Sequence, residues 1–267
     1  MSDRVITTIT DGVADVMLNR ADKMNALDGA MFAAIADAGE ALKHDPSVRA
    51  VVLHGDGRAF CAGLDFGSFN AMADGDRDNR PPEEIQEGRI THRGQQVAWV
   101  WQELEVPVIA AIHGVAFGGG LQVALGADIR IVHPEARLSV LEIRWGLSPD
   151  MTATQILPGL IGPDKTKELT FTGREVLGEE AVAIGLATKL ADDPHTAATE
   201  MAQDIASRSP HAIRGAKHLI NLASGQDWAH GFAEERRVIS GLIGSPNQVE
   251  AVQAFFEKRP ADYTDVD

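Results

Sequence analysis

The sequence predicts an α/β body that is followed by an all-helical tail. Short β-prone runs alternate with helix-like segments up to about residue 190. A glycine run near the middle of the chain joins a strand-like segment to a helix-like one. After residue 190 the strand-like runs stop and only helical segments follow. These observations divide the chain into a body, residues 1–190, and a helical region, residues 191–267.

The first elements are a hairpin, a helix and a strand. Two β-prone runs, 5–9 and 13–18, flank Asp11-Gly12, and Asp-Gly between such runs is a strong hairpin signal. Asp28 is a predicted N-cap, because apolar residues recur behind it at helical spacing. Those residues are Met31, Ile35, Ala38 and Leu42. The run 49–54 then predicts a buried strand that ends at Gly55.

The remaining elements follow from the same signals. Residues 66–82 are rich in Gly, Asp, Asn and Pro, which predicts a loop. A helix is predicted at 95–104, and strands at 107–112 and 128–132. The tail predicts four helices, and Pro210 and Pro246 mark two of the helix starts. These helices are 196–209, 211–223, 227–243 and 248–258.

Composition excludes several classes of function. With 267 residues, 44% of them hydrophobic, the chain can bury a large core. Its formal net charge of −15 disfavours non-specific binding to nucleic acid or to an anionic membrane. No apolar stretch is long enough to span a membrane, and the N-terminus has no signal-peptide pattern. The single cysteine, Cys61, fits a reducing compartment, so we expect a cytoplasmic protein.

The glycine run is the first candidate for a functional site. It extends over 113–122 as His-Gly-Val-Ala-Phe-Gly-Gly-Gly-Leu-Gln, between the strand at 107–112 and a helix-like segment. Backbone N–H groups freed of side chains at such a turn can hold a developing oxyanion. A nucleotide-binding turn of the short-chain dehydrogenase kind is the alternative. It lacks the Tyr-x-x-x-Lys pair, since the only tyrosine, Tyr263, is followed four residues later by Asp267.

A second segment of small residues points to the same chemistry. Residues 60–65, Phe-Cys-Ala-Gly-Leu-Asp, follow the predicted strand that ends at Gly55. Small side chains there allow a ligand to approach the backbone. We interpret Cys61 as a small core residue, because no neighbouring sequence favours a thiolate. No His/Cys cluster has metal-ligand spacing, so the sequence predicts neither a metal nor a redox cofactor.

Taken together, these segments resemble the crotonase superfamily, the enoyl-CoA hydratases and isomerases. The match covers nearly the whole chain, in the expected order. It rests on residues 19–20, 25–27, 60–65, 113–120, 138–146 and 254–259. The resemblance implies a spiral of ββα units, followed by helices that build a trimer, often paired as a hexamer. It also implies that a coenzyme A thioester is the substrate, with no further cofactor.

The resemblance assigns binding roles to individual residues. It implies that the backbone N–H groups of Leu64 and Gly119 hold the thioester oxygen. Coenzyme A would lie along 23–27 and 62–66, and a neighbouring subunit's tail would add contacts. The residues implied in binding are Lys23, Ala26, Leu27, Ala62, Asp65, Phe66, Gln122, Phe255 and Lys258. For Lys23, an ordinary solvated lysine is an equally good interpretation.

The acidic residues decide which reaction the resemblance implies. Hydratases of this family use two glutamates; one is present as Glu142, but Gln122 stands in the place of the other. An amide can orient a water molecule but cannot take its proton, which disfavours ordinary hydration. Asp150 lies eight residues beyond Glu142, the Glu/Asp spacing of family members that isomerise 3,5-dienoyl-CoA to 2,4-dienoyl-CoA, although those members also carry an acid at the place of Gln122. There Glu142 would act near C2 and Asp150 near C6.

Other reactions stay open at this point. Moving one double bond from position 3 to position 2 needs only Glu142. Asp150 also matches the nucleophile of aryl-CoA dehalogenases, with His92 as a conceivable partner, although a helix-start histidine is the simpler interpretation. Either carboxylate could instead pair with Arg144 at the surface. We favour an isomerase; a 2-enoyl-CoA hydratase of fatty-acid β-oxidation and a non-catalytic acyl-CoA-binding protein are the rivals.

Overall fold

The computed structural model describes residues 3–65, 67, 85, 88–223, 237–239, 241–242 and 244–265. The strands are β1 (Val5–Thr10), β2 (Val13–Leu18), β3 (Ala50–Gly55), β4 (Val108–Ile112), β5 (Val115–Phe117), β6 (Ile129–Val132), β7 (Arg137–Ser139), β8 (Val176–Leu177) and β9 (Lys189–Leu190). The helices are α1 (Gly29–Lys43), α2 (Arg93–Glu103), α3 (Gly119–Leu125), α4 (Ala153–Ile161), α5 (Pro163–Thr172), α6 (Gly178–Ala183), α7 (Pro194–Ala206), α8 (Pro210–Ala223) and α9 (Pro246–Glu257). Short 3-10 turns occur at Ala21–Lys23 and Glu142–Trp145.

Strands alternate between two sheets. The larger has the order β1-β2-β3-β4-β6-β9, and the smaller has the order β5-β7-β8. Each of the pairs β4-β5 and β6-β7 therefore starts in the large sheet and continues into the small one, and a helix follows. The β1-β2-α1 unit repeats the pattern of two strands and a helix. This succession confirms the predicted α/β spiral of ββα units.

The predicted hairpin and first helix are confirmed in detail. Strands β1 and β2 pair antiparallel, and Asp11 and Gly12 between them both have positive φ, 49° and 79°. That is the backbone that Asp-Gly favours in a two-residue turn. Asp28 caps α1 by accepting a hydrogen bond from Met31 N at 2.8 Å. Local chemistry thus fixes both elements before any long-range packing.

The large sheet is covered on both faces. One face, which we call the main-core face, packs against α1, α2 and α3. Phe60, Trp101 and Leu121 are fully buried there or nearly so. Its other face, which we call the α7 face, packs against three alanines of α7, namely Ala198, Ala202 and Ala206. Side chains alternate along a strand. In β3, Val51 and Leu53 therefore join the main core, while Ala50 and Val52 contact α7.

The structure shifts the bounds of some predicted elements and contains helices that the sequence did not predict. The tail helices begin at Pro194, Pro210 and Pro246, so two starts coincide with the predicted prolines. Helices α4, α5 and α6 were not predicted. The loop at 66–82 lies outside the described residues apart from residue 67, and of the helix at 227–243 only 237–239 and 241–242 are described, as helical. The boundary at residue 190 stays a prediction, although α7, just beyond it, packs on the sheet. Within the described ranges, every helix is too short or too polar to cross a membrane.

Candidate active site

A short bridge joins the two segments that carry the predicted oxyanion donors. Cys61 pairs with Ala116: Cys61 N donates to Val115 O at 3.0 Å, and Phe117 N donates to Cys61 O at 3.1 Å. Gly63 has φ +88°, and a Cβ there would lie 2.5 Å from Phe117 O and 3.7 Å from Gly119 N. Only glycine permits this approach. The segment after β3 is therefore held against the glycine turn.

Among the described residues, no backbone hydrogen bond uses the N–H groups of the two predicted donors. Leu27 N donates to Gly63 O, and Asp65 N donates to Leu27 O. In that parallel bridge the N–H of Leu64, between them, points away from Leu27. Gly119 is the first residue of α3, where a backbone N–H has no partner within the helix. Leu64 and Gly119 thus provide the type of donor pair that an oxyanion requires.

Gln122 is locked by three hydrogen bonds. Its Nε2 donates to Glu142 Oε1 at 2.7 Å. Its Oε1 accepts from Met151 N at 2.8 Å and from Ala153 N at 3.1 Å. Because both backbone partners are donors, the carbonyl must face them and the amide nitrogen must face Glu142. Gln122, which is 1% exposed, therefore connects the glycine turn with Glu142 and the start of α4.

Glu142 is a buried carboxylate beside the glycine turn. A Cβ on Gly118 would lie 3.4 Å from its Oε1. Burial raises the pKa of Glu142, backbone N–H groups and the Gln122 hydrogen bond partly oppose the shift, and the charge of Asp150 adds to it. Its second oxygen, Oε2, is buried and has no hydrogen-bond partner among the described residues. A carboxylate with one anchored and one unsatisfied oxygen, and a raised pKa, is typical of a proton-transfer group.

Asp150 and Arg144 differ in their relation to that carboxylate. Asp150 is exposed and adjoins Met151, whose Sδ would lie 3.2 Å from a Cβ on Gly119. Its charge acts on Glu142, so the structure brings the two predicted acids into one region. Arg144 is exposed, and within the described ranges no ion pair joins it to Glu142. A surface salt bridge therefore does not account for Glu142.

The segments predicted to bind coenzyme A are held together by Arg20 and Asn25. Arg20 Nη1 donates to Asp65 Oδ2 at 2.7 Å and to Ala26 O at 2.9 Å. The buried Asn25 donates from Nδ2 to Ala59 O at 2.8 Å and accepts from Arg20 N at 2.8 Å. The sequence motif contained both residues, but sequence reasoning gave neither a role. Asp65 is engaged by Arg20, so its predicted contact with substrate stays a prediction.

The other predicted binding residues are distributed as follows. Ala26 and Leu27 are buried, and Ala62 N donates to Met24 O at 2.9 Å. Lys23 is exposed at the end of its 3-10 turn, and Lys258 is exposed just beyond α9. Phe66 and the side chain of Phe255 lie outside the described residues.

Two alternatives from the sequence are resolved by burial and capping. The thiol of Cys61 is fully buried and donates to Asn25 O at 3.1 Å, and burial raises its pKa to about 12. It is therefore a core residue and not a nucleophile. His92 is the N-cap of α2, where its Nδ1 accepts from Gly94 N at 3.0 Å. This is the helix-start role that the sequence analysis gave as the simpler interpretation.

Comparisons relate this chain to known proteins of one family. The chain matches the family model described as enoyl-CoA hydratase/isomerase over residues 8–266. It is 32% identical to the mitochondrial methylglutaconyl-CoA hydratase of Mus musculus, covering 94% of this chain and 79% of that protein. It is also 32% identical to the short-chain-enoyl-CoA hydratase of Clostridium acetobutylicum, covering 92% of each. The crystal structure of an enoyl-CoA hydratase from Bacillus anthracis superimposes with a TM-score of 0.85 at 31% identity, covering 97% of this chain and 98% of that one.

Proposed function

The chain belongs to the enoyl-CoA hydratase/isomerase family of acyl-CoA enzymes, and from that premise we propose that it moves double bonds of enoyl or dienoyl thioesters through an enolate. Removing the C2 proton places negative charge on the thioester oxygen. The N–H groups of Leu64 and Gly119 would stabilise that charge, each lowering the barrier by about 3 kcal/mol. Glu142 would be the base, and its unsatisfied Oε2 the atom that takes the proton.

The observation that carries this proposal is the locked amide of Gln122. Hydration in this family's usual form needs a second acid at position 122, and the hydrogen bonds to Met151 N and Ala153 N hold a carbonyl there. The same side chain donates to Glu142 Oε1, which supports the ionised form of the base. One carboxylate that first takes and then returns a proton is sufficient for isomerisation.

The two isomerisations differ in where the proton returns. For a 3-enoyl thioester, Glu142 would take the C2 proton and return it to C4, leaving a double bond between C2 and C3. For a 3,5-dienoyl thioester, the proton would be delivered to C6, and Asp150 is the proposed donor. The charge coupling between the two carboxylates supports this pair, because it favours a state in which one is protonated.

We also propose that the protein is a homotrimer, alone or paired as a hexamer. Large apolar side chains on α8 and α9 are exposed in the single chain, Ile220 at 72% and Phe256 at 76%. Such residues on tail helices favour contacts with other copies. Lys23 and Lys258 are the proposed cationic contacts for coenzyme A phosphates, Lys258 from a neighbouring subunit.

Hydration of a 2-enoyl thioester is the second candidate. The two curated relatives described above are named as hydratases, and the oxyanion donors would serve either reaction. In that case Glu142 would activate the water and also return a proton, with Gln122 as its orienting partner. The two candidates therefore differ in substrate and not in the identity of the base.

A substrate panel separates these functions. Purified protein is offered 2-enoyl-, 3-enoyl- and 3,5-dienoyl-CoA, and the absorbance of the conjugated thioester is followed. We expect conjugation to appear from the 3-enoyl substrate or to lengthen from the dienoyl one. Loss of conjugation from the 2-enoyl substrate alone, with addition of water, would establish a hydratase. Binding of coenzyme A esters without turnover would indicate a non-catalytic protein.

Two variants sharpen the result. Asp150→Asn should abolish turnover of the dienoyl substrate while the 3-enoyl substrate still reacts, if Asp150 delivers the proton to C6. Gln122→Glu restores an acid at position 122, and a gain of hydration would show that the site otherwise accepts that chemistry.

A further inference from the structure

A cluster of potential metal ligands forms on the α7 face, away from Glu142. Asp15 lies on β2 and His54 on β3, and these strands are parallel neighbours. Both residues belong to the alternating set that includes Val13, Ala50 and Val52, which contact α7. His195 is the second residue of α7. Three separate elements thus direct one ligand-type side chain each to the same place.

The geometry of the cluster is close. His54 Nε2 lies 2.8 Å from Asp15 Oδ1, and His195 Nε2 lies 2.6 Å from Asp15 Oδ2. The two imidazole rings are stacked with centroids 4.0 Å apart and an interplanar angle of 28°. One ligand atom from each residue lies within 4.8 Å of the others. Three ligands around a single metal would be about 3–3.5 Å apart at metal–ligand distances of about 2.0–2.2 Å, so the ligand atoms already lie near the required spacing.

We propose that Asp15, His54 and His195 form a binding site for a divalent transition metal, with zinc as the reference ion. Two imidazole nitrogens and one carboxylate oxygen are the donors of known zinc sites with three protein ligands. The metal replaces the two hydrogen bonds to Asp15, with each histidine presenting the lone pair of Nε2. Water occupies the fourth position.

An open pocket gives the ion access and room for that water. It has a volume of about 450 Å³, and His54 and His195 are among the residues that line it. His113 and His133 stand on its wall, together with Asp56, Asp192 and Asp193. These residues follow β3, β4, β6 and β9, at the carboxyl ends of parallel strands, where open α/β sheets commonly bind ligands. Several acidic groups at the rim favour a cation.

The other pocket histidines are engaged elsewhere, so the ligand set is limited to three. His113 Nε2 lies 3.0 Å from Gly57 O, and His133 Nδ1 accepts from Glu135 N at 3.1 Å. The side chains of the proposed ligands are between 10% and 45% exposed, His54 least and His195 most. His54, on the sheet, is therefore the most buried of the three ligands, and His195, on α7, is the most accessible to solvent. A bound metal would clamp the start of α7 to β2 and β3.

Without a metal, the same three residues would be only a hydrogen-bonded contact between α7 and the sheet. The two possibilities predict different responses to histidine replacement. Glutamine at position 54 or 195 can keep a hydrogen bond to Asp15, but an amide is a poor ligand for zinc compared with imidazole. Metal binding therefore distinguishes them, whereas the structure of the metal-free chain does not.

The test uses the full chain, freed of any histidine tag and treated with a chelator. Zn²⁺ is titrated by calorimetry, and Co²⁺ by its visible absorption, which reports ligand type and geometry. We expect one ion per chain in the parent protein. His54→Gln and His195→Gln should each weaken binding by at least the 10–100-fold that loss of a supporting residue costs in metal sites. Zn²⁺ should raise the melting temperature of the parent but not that of these variants.

Controls make a negative result informative. His44→Gln replaces an exposed histidine at the end of α1 and should bind like the parent. Melting in the presence of chelator shows that each variant is folded, and Asp15→Asn is the alternative if a histidine variant is not. Equal affinity in the parent and in both histidine variants would overturn the proposal, and so would no binding in the folded parent. Turnover of acyl-CoA substrates with and without chelator is a separate readout of the proposed function, and we expect no difference.

Discussion

Glu142, beside the glycine turn, and Asp15, on the α7 face of the large sheet, are carboxylates whose surroundings shift their pKa values in opposite directions. Burial raises the pKa of Glu142, and its side-chain partner is the neutral amide of Gln122. Burial also pushes the pKa of Asp15 upward, but hydrogen bonds and charges from His195 and His54 outweigh it and hold that pKa well below its usual range. Both groups are desolvated, so the nature of the partner decides the direction.

The difference separates a carboxylate with an unsatisfied oxygen from one whose oxygens are both satisfied. Both oxygens of Asp15 have a partner. Among the described residues, Glu142 Oε2 is buried and has no hydrogen-bond partner, an arrangement that costs stability and that active sites commonly retain. The surroundings of Glu142 thus suit it to taking a proton, and those of Asp15 suit it to holding a positively charged partner.

The largest expected effect tests the proposed role of Glu142 as the base. Glu142→Gln keeps the shape of the side chain but removes the base, so kcat/KM on the accepted enoyl thioester should fall by about 10²–10⁴-fold. Steady-state kinetics measures this, with Glu135→Gln as a control because that glutamate is exposed. Unchanged turnover in Glu142→Gln would remove Glu142 from the mechanism.

The fold could be predicted where local chemistry decides it. Asp11-Gly12 specifies its turn and Asp28 caps its helix, and both act within a few residues. The site was predictable only in part. The sequence shows that position 122 carries an amide where the resemblance predicts an acid. The residues that Gln122 contacts lie 20, 29 and 31 residues away, so these contacts depend on the tertiary fold.

The cluster of Asp15, His54 and His195 could not be predicted from sequence spacing. His54 and His195 lie 39 and 180 residues from Asp15, and metal motifs are recognised when ligands are close in sequence. The alternation of β2 and β3 brings two ligands to one face, and the packing of α7 brings the third. Asp65 shows the same limit, because its partner Arg20 is 45 residues away.

The second-largest expected effect tests the hydrogen bonds between Asp15 and the two histidines. With chelator present, Asp15→Asn replaces one acceptor oxygen by a donor, so one of the two histidine contacts is weakened or lost. The free energy of unfolding should fall by about 1–3 kcal/mol, the cost of leaving a partly buried polar group unpaired. Urea denaturation measures it. Asp11→Asn is the control, because asparagine accepts the positive φ of that turn. Equal stability of the two variants would mean that the histidine contacts are incidental.

The pH dependence of catalysis tests the direction of the Glu142 shift. The base is available only above its pKa, so kcat/KM should fall as the pH drops through a midpoint above the ordinary glutamate value of 4.5. Gln122→Met removes the amide donor that lowers this pKa, and should move the midpoint further toward neutral pH. Profiles of kcat/KM for the two proteins measure the shift. A midpoint that moves to lower pH in the variant would show that Gln122 does not support the ionised base.

The smallest effect is also the one that contrasts the two carboxylates most directly. A pKa raised by folding means that protonated Glu142 favours the folded state below the unfolded pKa, and that this advantage is lost as the pH rises through the folded pKa. At pH 7, well above the unfolded pKa, that advantage is reduced or lost and the buried carboxyl group costs stability, so Glu142→Gln should stabilise the protein by up to about 1 kcal/mol. Thermal unfolding at pH 7 and at about pH 4 measures this, and the gain should vanish at the lower pH. Asp15→Asn should change stability with the opposite sign at pH 7. If both variants were destabilised equally at pH 7, then Glu142 would be as well satisfied as Asp15, and the unpartnered Oε2 would not mark it as the reactive group.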